Sequence, residues 1–176
     1  SFRIAYDYLS KLSNNSFGQY ASVAFRAANT LTQNGAVKRG VCVRNDDGKL
    51  MDLIEASIVK KDNNLIATPL ANFQNEMIIK EDSLVSMNMF LFSKDIMEKL
   101  KREFEVFLTC NETNKQQAEF LLPDVIGNLI KQQKCTVDLL ESPSIWYGVT
   151  YSQDKEHVVS SLKKLVDEGK YKKGLW

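Results

Sequence analysis

Only a few residues of this 176-residue chain stand where they could do chemistry. Glu55 lies inside KLMDLIEASIVK (49–60), a run whose extended form puts Leu50 and Ile54 on one face and Met51 and Leu53 on the other. A carboxylate on such a strand is costly to bury unless something polar meets it. Either that end of the strand is exposed, or Glu55 borders a pocket whose ligand hydroxyls supply the partner. Asn88 poses the same question in VSMNMFLF (85–92), where an amide among apolar neighbours needs hydrogen bonds from the fold or from a ligand. Gly40, in KRGVCV (38–43), has no Cβ and lets a strand backbone approach a ligand closely. Gly148, in SIWYGVTY (144–151), shares a predicted strand face with Trp146 and Thr150, where a bare backbone makes room for a ring or a crossing helix.

Other chemistries find no support. His157 is the single histidine, so neither a His-rich metal site nor a Ser-His-Asp set is implied. Cys42, Cys110 and Cys135 are far apart and odd in number, which is neither a disulfide framework nor a zinc spacing; they read as buried, reduced thiols. Phosphate-cradling glycine loops and an EF-hand loop are absent from the sequence. CNETNKQQ (110–117) reads as a solvated loop.

The elements that must carry these residues are legible from periodicity. Phe2, Tyr6, Leu9 and Leu12 predict a helix over 2–12. QYASVAFR (19–26) predicts a strand, and AANTLTQNGAV (27–37) a polar loop with a turn at Asn34-Gly35. Two β-rich runs, 38–45 and 49–60, flank Asp46-Asp47-Gly48, a hairpin with Gly48 in the left-handed position. KDNNL makes another turn, and 65–80 reads as irregular or short-stranded. Residues 83–92 predict a strand covered on both faces. Ser93 is placed to cap a helix with the stripe Ile96, Met97, Leu100, Phe104 and Phe107. Pro123 suits the first turn of a helix carrying Val125, Ile126, Leu129 and Ile130. Strands over 135–141 and 144–151 follow, then a helix capped by Asp154 and stopped by Gly169. The fold class is therefore α/β, a mixed, partly antiparallel sheet flanked by helices in a single domain over 1–176.

A hydrophobic share of 44% and a net charge of +1 suit a globular domain and indicate neither a nucleic-acid footprint nor a polybasic membrane patch. No apolar run approaches the roughly 20 residues that span a bilayer, and a cytoplasmic location is expected.

The order of AFRAANTLTQNGAVKRGVCVRNDDGKLMDLIEA, VSMNMFLF, EFLLPDVIGNLI and the closing SIWYGVTYSQDKEHVVSSLKKLVDEGKYKKGLW resembles the later part of a bacterial nucleotidyltransferase family, the sugar-1-phosphate nucleotidylyltransferase-like proteins. The resemblance covers nearly the whole chain and implies the carboxyl-terminal part of the nucleotide-diphospho-sugar transferase (Rossmann-like) fold. It implies that an NTP-binding part, with a glycine-rich loop and an acidic metal ligand, precedes Ser1 and is absent here. Its implied chemistry joins an NTP and a sugar phosphate, or a similar phosphorylated alcohol, with release of pyrophosphate and with Mg2+. Gly40 matches a glycine facing the sugar, Glu55 a glutamate on sugar hydroxyls, and Asn88 a small or amide residue of the sugar pocket. The basic residue usual after the glutamate is Ala56 here. Trp146 marks the strand that in the wider superfamily continues into a metal-holding aspartate, and Gly148 stands at that place. The fragment alone is expected to be inactive, and homo-oligomers are possible. The alternative is a non-catalytic binding or assembly module retaining the fold.

Overall fold

The computed structural model describes residues 1–13, 15–32, 35–70, 75–110, 118–149, 152–172 and 174. They form two compact units, Ser1–Ser144 and Ile145–Trp176.

The first unit is built on one mixed sheet. Its strands are β1 (Gln19–Arg26), β2 (Val37–Arg44), β3 (Leu50–Lys61), β4 (Asn64–Pro69), β5 (Met77–Ile79), β6 (Leu84–Leu91) and β7 (Thr136–Ser142), in the order β5-β4-β3-β2-β6-β1-β7. Every pairing is antiparallel except that of β1 with β7. The two hairpins follow from their turn residues. Gly48, at φ 76°, donates its N–H to Asn45 O between β2 and β3. Asp62 and Asn63, both at positive φ, make the two-residue turn between β3 and β4, as the right-handed twist of the strands prefers. The stretch read as irregular or short-stranded thus supplies β4 and β5; its residues 71–74 lie outside the described set, as do Asn34 and 111–117 of the predicted loops.

The sheet curls. Lys49, at the head of β3, makes an isolated antiparallel bridge to Asp138 of the edge strand β7, and its ammonium sits 2.7 Å from the Asp138 carboxylate. Inside the curl, Tyr20, Leu50 and Val137 pack with Ile96 of α2 (Ile96–Cys110) and with Val125, Ile126 and Leu129 of α3 (Leu122–Lys131). The other face buries Val41, Ala56, Ile58 and Val85 at one end, and Ala21, Val23, Phe25 and Leu91 against Ala5 of α1 (Phe2–Leu9) at the other. The helix predicted over 2–12 is regular only to Leu9, because Ser10 already closes the last turn and polar Ser13 and Ser16 bond to each other. Of the three thiols read as buried, Cys135 is, Cys42 is half-buried, and Cys110, at the solvated end of α2, is exposed.

One carboxylate ties the helical layer to the sheet. Asp95, just ahead of α2, accepts hydrogen bonds from Gly18 N–H (3.0 Å) and the Tyr20 hydroxyl (3.1 Å), and pairs with the Lys99 ammonium at 2.8 Å. Lys99 also donates to Lys134 O, in the link between α3 and β7. Ser93, expected to cap α2, stands three residues before the helix's first residue Ile96, and its hydroxyl donates to the Asp95 carboxylate at 2.5 Å in a charge-assisted bond. Burial alone would push the Asp95 carboxyl up; the bonds from Lys99, Ser93 and Tyr20 outweigh it and hold the group below its ordinary value. Burial pushes the Tyr20 phenol up to about 12, so it stays a neutral donor here.

The second unit holds α4 (Asp154–Asp167). Gln153 is its N-cap and Asp154 its first residue, so the helix begins one position earlier than a cap at Asp154 requires, and an acidic first turn suits the helix dipole. Gly169, at φ 74°, ends it with bonds from its own N–H to Val166 O and from Lys170 N–H to Leu165 O. The strand predicted over 144–151 does not form among the described residues: 143–149 are irregular. Pro143 brings no N–H to a ladder, and the Trp146 ring folds over Gly148 and occupies the place a Cβ there would need.

Replacing Asp95 with Asn is expected to cost about 2 kcal/mol in urea unfolding at neutral pH, the scale of lost hydrogen bonds to a charged group. Since the folded carboxyl titrates below its ordinary 3.8, its contribution is full above that value and fades as pH falls through the folded one. Wild type and variant should therefore converge on acidification. Lys49→Ala, which removes a pair some 40% exposed on each side, should cost under about 1 kcal/mol.

Candidate functional site

Strand register brings the site together. Reading across the sheet, Glu141 of β7 lies beside Ala24 of β1, Ala24 beside Ser86 of β6, Ser86 beside Gly40 of β2, and Gly40 beside Glu55 of β3. Three small residues are thus flanked by two glutamates. Glu141 is claimed by Arg26 at 2.7 Å. The Glu55 main chain is bonded in the sheet and accepts Leu70 N–H, but its carboxylate makes no hydrogen bond or ion pair with any described residue.

Glu55 folds over Gly40. A Cβ built on Gly40 would meet Glu55 Oε1 at 3.1 Å, Leu53 Cδ2 at 3.4 Å and Ser86 Cβ at 3.5 Å. The glycine is the seat of the carboxylate, a protein-internal reason for its missing side chain. Burial, and then the charge of Asp124, push the Glu55 carboxyl above its ordinary 4.5. The neighbouring Cys42 thiol is driven up to about 12, by burial and then by Glu55, so it is not a nucleophile. Ala56, next along β3, is fully buried on the opposite face in the core with Ile58 and Val41.

A cleft of about 400 Å³ opens between β3 and α3, lined by Asp52, Glu55, Asp124, Gly127, Asn128 and Lys131 over Leu53, Ile54 and Pro123. Asp52 Oδ1 accepts its neighbour Leu53 N–H at 3.0 Å and stands 3.6 Å from Lys131 Nζ. The helical wall is absent from the residues expected from sequence, although a signal exists for it. Asp124, Asn128 and Lys131 recur at i, i+4 and i+7, a polar stripe alongside the apolar one.

Asn88 has a conformational explanation. Ser22 pairs with Phe90 and Ala24 with Ser86, so Met87, Asn88 and Met89 bulge opposite the single Val23. Asn88 sits at φ 58° at the centre of the bulge, a region asparagine tolerates better than most side chains, and its N–H reaches Ser86 Oγ at 3.2 Å. Gly40 and Glu55 are therefore in contact, Asn88 projects from the adjoining strand, and Trp146 and Gly148 belong to the second unit.

Among the described residues no three His, Cys, Asp or Glu side chains converge to hold a metal ion, and no Mg2+ ligand is assigned to them. No described helix is long and apolar enough to cross a membrane. The chain matches no protein-family model and no curated sequence.

A carboxyl whose folded value is raised supports the fold below its unfolded value and opposes it once ionised. Glu55→Gln is therefore expected to raise the urea midpoint at pH 7. The gain should vanish near pH 3, where both forms are neutral; an equal midpoint shift at both pH values would point to packing instead.

Proposed function

We propose that this chain is the acceptor-binding part of a nucleotidyltransferase with the nucleotide-diphospho-sugar transferase fold, and that the cleft between β3 and α3 takes a sugar phosphate or similar phosphorylated alcohol. The observation that carries the reading is Glu55: a half-buried carboxylate at a cleft edge, seated on Gly40 and without a partner among the described residues. Such a group is matched by ligand hydroxyls, which donate to it and replace the water it has lost. A cleft of this volume is in the range that encloses a small ligand.

In this reading an acceptor phosphate oxygen attacks the α-phosphorus of the NTP and pyrophosphate leaves. The residues of the cleft bind and orient the acceptor, and positioning of that kind needs no covalent nucleophile. The NTP and Mg2+ are left to residues other than those described.

The packing of Trp146 on Gly148 favours a second reading, a binding module that has lost the chemistry, because the ring fills the place where the superfamily sets a metal-holding aspartate.

Calorimetry on the 176-residue chain is expected to show sugar-phosphate binding that Glu55→Ala weakens by about tenfold, the scale of one lost hydrogen bond to a charged group. It should show no binding of ATP, CTP, UTP or dTTP. Failure to bind any sugar phosphate removes the acceptor-site reading, and tight NTP binding contradicts the division of labour. Pyrophosphate release by the polypeptide that joins this chain to its proposed NTP-binding part separates the enzyme from the module.

A further inference from the structure

The helical wall of the cleft contains a glycine that the fold does not explain. Gly127 lies in the middle of α3, has no positive φ, and is buried on the side of the helix that faces β3. A glycine there costs roughly 0.5–1 kcal/mol relative to alanine, because it loses more backbone freedom on folding. The usual return on that cost is close approach of a helix to a sheet. Here the approach is not close: of the described residues, a Cβ at 127 would meet a single atom within 4 Å, Asp52 Oδ1, at 3.8 Å, an ordinary contact. Gly40 contrasts with it, since a Cβ there meets three atoms at 3.1 to 3.5 Å. Among the described residues there is room for a methyl group at 127, and Gly127 lines the cleft.

We propose that Gly127 is a specificity-determining residue of the acceptor site. Its missing side chain admits the edge of a sugar ring against the α3 backbone, with a ring hydroxyl donating to Asp52 Oδ1. That oxygen is oriented by Leu53 N–H at 3.0 Å and stands 3.6 Å from the Lys131 ammonium. The ligand class is a phosphorylated ring polyol, wider at this point than an open-chain polyol phosphate. The inference rests on the cleft being an acceptor site, and it adds which dimension of the acceptor the site measures.

The test compares wild type with Gly127→Ala on the full chain, using glucose 1-phosphate and glycerol 3-phosphate as calorimetric probes, with urea unfolding alongside. The variant is expected to unfold at an equal or higher urea concentration. It should bind glucose 1-phosphate about tenfold more weakly, the lower end of what one extra methyl costs in a fitted pocket. Its affinity for glycerol 3-phosphate should stay within about twofold, since the slimmer ligand leaves that space empty. Undiminished glucose 1-phosphate binding by the variant overturns the role of Gly127 and leaves the acceptor site standing. A lower unfolding midpoint with both probes lost makes the glycine structural and also overturns it. Wild type binding neither probe takes down the acceptor site and this inference together.

Discussion

The arrangement depends on Asp95. Its Oδ2 gathers the backbone at the head of β1, the hydroxyl of Tyr20 and the ammonium of Lys99, and Lys99 passes the connection on to the chain leaving α3. Three charged or polar side chains at an apolar boundary are stable only because each satisfies the others. A surface pair such as Lys49–Asp138 could not do this, since water competes for both partners. The knot fixes α2 and the end of α3 on the inner face of the sheet. The cleft is the gap that remains between α3 and β3 once this docking is made.

Within that gap, the two glycines do opposite things. Gly40 is bare because Glu55 needs its space, and the electrostatic state of Glu55 is a product of backbone register. Gly127 is bare although no atom of the described residues needs its space. The first shapes a functional group and the second preserves a void. The carboxylates that face the void are only partly compensated: Lys131 attends Asp52, while Glu55 and Asp124 feel each other. Leaving such charge unpaired opposes folding.

Local signals made much of the sheet readable. Asp46-Asp47-Gly48 marked a hairpin, and the β-like runs QYASVAFR and CTVDLLE located β1 and β7. Glu55 stood out because a carboxylate broke an apolar run, and Gly40 because a strand residue lacked a side chain. That the two touch was not legible. Met51 is an extra residue between the pairs Val43–Asp52 and Arg44–Leu50, and this bulge shifts the register set by the turn. Without it Gly40 would oppose Ile54 rather than Glu55. The bulge around Asn88 was hidden for a related reason: VSMNMFLF looks like an uninterrupted strand until its partner β1 proves two residues shorter over the same stretch. SIWYGVTY misleads because β-prone residues make a strand only where a partner strand meets them, and Trp146 packs on Gly148 instead. The helical wall escaped because its polar stripe runs beside a stronger apolar one.

The seam between Lys49 and Asp138 has a kinetic consequence. These residues are 89 apart in sequence, and the strand that closes the curl comes directly after the helix that walls the cleft. The β2–β3 hairpin can form from near neighbours, but α3 and β7 must return across most of the chain, and loop-closure entropy sets such contacts late. The cleft is thus expected to take shape late in folding, and the acceptor proposed for it would meet only chains whose long-range pairing is made.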